Sequence, residues 1–119
     1  MVQLVTPISK DAQLDAVRTP PHSVEAEQSV LGGLLLDNSA WDRLADVVSE
    51  ADFYRADHRT IFEHIAKLIE HNRPADALTV AEILERNGKL AEVGGQAYIG
   101  SLALNTPSAA NIRRYGEIV

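Results

Sequence analysis

The residues with reactive side chains come first, because each chemistry needs particular types at particular spacings. Phosphate binding by a P-loop needs a G-x-x-x-x-G-K-[ST] frame, with backbone amides at a helix start and a lysine reaching the phosphates. Gly32-Gly33 and Gly94-Gly95 fall in no such frame, and the chain has no Lys-Ser or Lys-Thr dipeptide. It is therefore not expected to hydrolyse ATP. His58, His64 and His71 follow at spacings of six and seven, whereas metal ligation from one helix wants three or four. His64 and His71 share a helix face but stand about 10 Å apart along the axis, too far for one ion. The histidines are read as solvated or capping residues. Carboxylates abound, and Asp42 with Asp46 stands at i, i+4, which reads as a solvated helix face before it reads as an acid/base dyad. Ser49 and Ser101 lack a G-x-S-x-G context, and the chain has no cysteine. No catalytic, cofactor-binding or metal-binding residue is expected.

The elements that carry these residues are helical. Ser23 is a candidate N-cap, followed by Glu25 and Glu27 in a first turn where negative charge suits the helix dipole. Ala26, Val30 and Leu34 continue the stripe, and Gly32-Gly33 inside it suggests a close helix–helix approach. Asp37-Asn38-Ser39 makes a turn and cap. Trp41, Leu44, Ala45 and Val48 predict a second helix, with Trp41 as a core anchor. Asp57 is expected to cap a third, whose apolar stripe is Phe62, Ile65, Ala66 and Ile69, ended by Asn72 and Pro74. Thr79 to Glu82 reads as a capping box for a fourth, with Leu78 stapled onto Ile83. Asn87-Gly88 closes it, and Leu90 and Val93 are expected to tuck into the core. Tyr98, Ile99 and Leu102 mark a fifth helix, and Thr106-Pro107 the N-cap and first turn of a last one. Period-two runs rich in β-branched residues are missing. The expected fold is all-α, a compact bundle of about five to six short helices. The expected organisation is a flexible tail over 1–22, a globular head over 23–105, and an arm beginning at 106 that stops within a longer polypeptide.

Length and charge narrow the function. One domain of 119 residues can bury a real core. The net charge of −6 opposes autonomous nucleic-acid binding, which usually needs a basic face. A helix-turn-helix reading fails on a connection of about seven residues and on a recognition helix whose basic content is Arg86. No apolar run approaches the ~20 residues of a membrane span, and the N-terminus lacks the pattern of a secretory signal. Ile112, Tyr115 and Val119 form an apolar stripe at the chain end and are the candidate protein-interface residues, with packing on the head as the alternative. A stand-alone interaction module, or a small helical metal protein or enzyme, stays open as a class.

Four blocks carry a resemblance. Pro20 to Gly33 is similar to the opening of the N-terminal domain of DnaB-type replicative DNA helicases. Asp52-Phe53-Tyr54 with His58 to Phe62, Val93 to Tyr98, and Asn105 to Ile112 resemble its following blocks, in the same order. The resemblance implies a cytoplasmic, hexameric, ATP-dependent 5′–3′ helicase of the primosome. ATP and Mg²⁺ would belong to a C-terminal motor domain outside this chain. It implies an N-terminal collar that self-associates and recruits primase and other replisome or helicase-loader proteins, with single-stranded DNA bound by the whole ring rather than by this segment. The last helix would be the first arm of a helical hairpin.

Overall fold

The computed structural model describes residues 23–119; the tail expected over 1–22 lies outside them. Among the described residues there are six α-helices and no strand. Helix α1 spans Val24–Leu36, and the Ser23 hydroxyl accepts from the Ala26 backbone N–H at 3.1 Å, as a polar N-cap should. Asp37 caps a 3₁₀ turn over Asn38–Ala40 that runs into α2, Trp41–Leu44. A second 3₁₀ turn, Glu50–Asp52, precedes α3, Ala56–Glu70. Helix α4 covers Ala77–Arg86, α5 Gly95–Leu104 and α6 Ile112–Ile118.

Helix α1 is the centre of the bundle. It packs against α3, α5 and α6, while α4 lies across α3 and α5. Its glycines explain how. A Cβ on Gly32 would stand 2.3 Å from the Leu102 carbonyl oxygen and 2.0 Å from the Thr106 hydroxyl. A Cβ on Gly33 would meet the Ile112 side chain at 3.0 Å. Two adjacent residues without side chains thus admit the end of α5 on one side and the start of α6 on the other. The core around them includes Val30, Leu31, Leu34, Ile61, Ile65, Leu84 and Ile99, all fully buried. Trp41 is half-buried, its ring 5.6 Å from Phe62. Val93 is buried and Leu90 partly so.

Four local expectations need correction. The regular part of the second helix ends at Leu44, although Ala45 and Val48 still donate to Trp41 and Leu44 carbonyls. Ser49 then turns the chain, because Asp52 accepts from its backbone N–H at 2.8 Å. Asp57 is not a cap: α3 starts at Ala56 behind Arg55, and Asp57 sits in the first turn, bonded to Arg55. The box opening α4 is Asp76 with Thr79, one turn earlier than expected. Leu78 is consequently exposed rather than stapled. Thr106 does not start the last helix either. It is buried, and its hydroxyl donates to the Leu102 carbonyl at 2.8 Å, in the space Gly32 leaves free. Helix α6 begins six residues later, at Ile112.

The chain-reversing residues match expectation. Asn72 has φ 58° and Gly88 φ 69°, the left-handed geometry that ends α3 and α4.

Candidate functional site

One polar cluster joins residues of three separate helices. Glu27 of α1 and His58 of α3 are 1% and 0% exposed. His58 Nδ1 faces Glu27 Oε1 at 2.7 Å, and its Nε2 faces the Tyr98 hydroxyl of α5 at 2.6 Å. The two rings stack at 5.9 Å between centroids. Glu27 Oε2 also accepts from the Tyr54 backbone N–H at 2.7 Å, and the Gln28 amide donates to the Tyr98 hydroxyl at 3.2 Å. Arg55 lies over the Tyr98 ring at 5.5 Å and pairs with Asp57.

Burial holds His58 below its ordinary imidazole range, against the opposing pull of the Glu27 hydrogen bond. The neutral ring that burial favours fits the geometry. Its Nδ1–H donates to the Glu27 carboxylate, and Nε2 accepts from Tyr98, whose oxygen accepts in turn from Gln28. Each contact of the set then joins one donor to one acceptor. Around Asp57, burial pushes the carboxyl up, but the Arg55 hydrogen bond and neighbouring positive charge outweigh it and hold the acid low.

A carboxylate, an imidazole and a hydroxyl in line have the order of a proton relay. Here the hydroxyl is spent: it donates to His58 and accepts from Gln28. The arrangement therefore works as a polar clamp between α1, the 53–55 link, α3 and α5.

His58 and His64 are thus not solvated, contrary to the sequence reading. His64 is 1% exposed, with Nδ1 at 2.8 Å from the Thr60 carbonyl and Nε2 at 3.1 Å from the amide of Asn87, the residue that follows α4. His71 is exposed, bonded to the Lys67 carbonyl. Glu27 was missed because a first-turn acid looks like a dipole partner. The signal that finds these residues is phase. Glu27 lies in register with Leu31 and Leu34, and His58 with Ile61, Phe62 and Ile65, so both point inward with the apolar stripe. Among the described residues no group of three or more His, Cys, Asp or Glu could hold a metal ion.

The candidate interface residues of the last helix divide. Ile112 is 1% exposed and faces Gly33, while Tyr115 and Val119 are partly buried against the core, beside exposed Ile118. Gly116 lets this helix approach α2: a Cβ there would stand 2.5 Å from the Leu44 side chain.

Comparison with known proteins matches both the sequence and this helical arrangement. The profile of the family described as DnaB-like helicase N terminal domain matches residues 19–119. The replicative DNA helicase DnaB of Haemophilus influenzae is 45% identical over 111 residues, covering 93% of this chain and 24% of that protein. Its counterpart in Buchnera aphidicola (subsp. Baizongia pistaciae) is 44% identical over 109 residues, covering 92% and 24%. That of Geobacillus stearothermophilus is 39% identical over 108 residues, covering 91% and 24%. The chain thus spans 24% of the length of these curated relatives. The crystal structure of the N-terminal domain of DnaB helicase from Mycobacterium tuberculosis is similar at a TM-score of 0.81 and 41% identity, covering 84% of this chain and 69% of that one. Matched in sequence over most of its length and in the path of its helices, the chain belongs to the family of DnaB-like helicase N-terminal domains.

Proposed function

We propose that this chain is the collar and docking domain of a hexameric, ATP-dependent 5′–3′ replicative DNA helicase, and that it does no chemistry itself. It supports ring assembly and recruits primase and other replisome or loader proteins in the cytoplasm. Single-stranded DNA, ATP and Mg²⁺ are handled by the whole ring through a motor domain outside this segment. One observation carries the reading. The groups best suited to proton transfer, buried Glu27 and His58 with partly buried Tyr98, are consumed in holding helices together. A domain whose polar interior is committed to its own architecture acts through its surface. The net charge of −6 favours a protein partner over phosphates.

Residues 23–105 act as the head and the segment from 106 as the start of an arm. Tyr115 and Val119 offer the interface, with Ile112 anchoring the helix from beneath. The test uses the whole helicase with and without residues 23–119. The expected result is that deletion leaves DNA-stimulated ATP hydrolysis measurable but abolishes stimulation by primase and weakens hexamer formation, read by light scattering. ATP turnover by residues 1–119 alone, or undiminished primase stimulation after deletion, would refute it.

A further inference from the structure

We infer that the groove between the Trp41–Glu50 segment and α3 is a docking surface for a basic amphipathic helix of another protein. The groove encloses roughly 400 Å³, room for one or two apolar side chains. Its floor is aromatic and aliphatic: Trp41 and Phe62 meet at 5.6 Å, with Val48 beside them. Its walls carry the small residues Ala45 and Ala66, so a visiting backbone can come close. The residues of α3 that line it run from Phe62 to Glu70, about two helical turns. A trough of that length along α3 suits the apolar edge of a helix, with anchors at i and i+3 or i+4.

The rim selects the charge of the occupant. Glu63 and Glu70 stand seven residues apart on one side, and Glu50 faces Glu63 from the other. The basic residue on the rim, Lys67, is engaged by Glu63 at 3.0 Å. Glu50 and Glu70 are both exposed. Glu50 and Glu70, exposed on the two sides of the groove, match lysines or arginines flanking the apolar edge of a helix lying along it. No residue of α6 lines the groove, so it is separate from the surface around Tyr115 and Val119.

The chain carries its own reporter, because Trp41 is its single tryptophan and lies on the groove floor. The experiment titrates residues 1–119 with a synthetic leucine–lysine amphipathic peptide of about 18 residues, long enough to be helical, following Trp41 fluorescence. A leucine–glutamate peptide of the same pattern serves as control. The expected result is saturable binding of the basic peptide alone, with a change in Trp41 emission. The double variant Glu50→Lys with Glu70→Lys should weaken it about tenfold, by loss of attraction and added repulsion. Ala66→Leu, which fills the groove without adding charge, should weaken it as much, while Leu78→Ala on the far side of α4 should have no effect. Circular dichroism confirms that each variant is folded. Failure of the basic peptide to bind, equal binding of both peptides, or indifference to the glutamate pair overturns the inference. So does a shift of Trp41 emission on removing residues 1–22, or self-association lost in Ala66→Leu, since the occupant would then be this chain itself.

Discussion

Replacing Gly32 by alanine tests how closely α1 and α5 are packed. The added Cβ would stand 2.3 Å from the Leu102 carbonyl oxygen, 2.0 Å from the Thr106 hydroxyl and 2.9 Å from the Thr106 Cβ. The hydroxyl can swing aside only by giving up its 2.8 Å bond to Leu102. The carbonyl is backbone and must retreat by about 1 Å, moving the end of α5 with it. Overpacking of this kind costs about 1–3 kcal/mol, and the lost buried hydrogen bond adds about 1 kcal/mol. Alanine recovers about 1 kcal/mol of helix propensity. The net is a destabilisation of about 1–3 kcal/mol, or roughly 5–20 °C in melting temperature for a domain of this size. Gly100→Ala is the matched control. It lies inside α5, its Cβ would meet nothing within 4 Å, and its φ is not positive. There the propensity gain stands alone, and stability should rise by about 0.5–1 kcal/mol. Thermal and urea melts of both variants by circular dichroism decide the matter. If Gly32→Ala is as stable as the parent, the close approach of α1 to α5 is wrong.

Three further outcomes are expected. Burial lowers the His58 pKa below its unfolded value of 6.5, so the folded state holds fewer protons in the window below that value. His58 therefore contributes stability above pH 6.5 that declines as pH falls through the window, by up to about 1.4 kcal/mol per pH unit; His58→Gln should flatten this part of a pH series of urea melts. Tyr98→Phe removes the hydroxyl between His58 and Gln28, leaves a buried ring nitrogen unpaired, and should cost about 1–3 kcal/mol in the same melts. Asn38→Ala should cost about 2–3 kcal/mol, because that side chain donates to the Leu34 and Ala75 carbonyls at 2.8 Å and accepts from the buried Ala75 N–H at 2.9 Å; a loss below about 0.5 kcal/mol would reject its bridging role.

What sequence reading captured and what it missed divide along the reach of the forces involved. Ser23, Asn72 and Gly88 act within one turn of backbone, and each does what its type and position indicate. Gly32-Gly33 signalled a close approach because a double glycine within a helix is costly without one. The start of α4 was misplaced because two overlapping boxes, Asp76 with Thr79 and Thr79 with Glu82, satisfy the same local rule. The choice depends on Asn38 holding Ala75 from another part of the chain. Thr106 looked like a cap for the same reason any Thr-Pro does; the void beside Gly32 that takes its hydroxyl exists only in the folded bundle. Glu27, His58 and Tyr98 are 31 and 40 residues apart along the chain, so no local spacing joins them. Their phase with the apolar stripes marks them as inward, but not as partners.

The placement of α1 at the centre of the bundle also orders events at the ribosome. Of the described helices, the first to emerge is the one whose partners arrive last: Gly33 waits for Ile112, 79 residues downstream. At about 5–20 residues per second, the apolar side of a newly made α1 is without its final cover for about 4–16 s. During that interval it is a natural target for chaperones, and nascent chains cut short before Gly95 should aggregate rather than accumulate as stable intermediates.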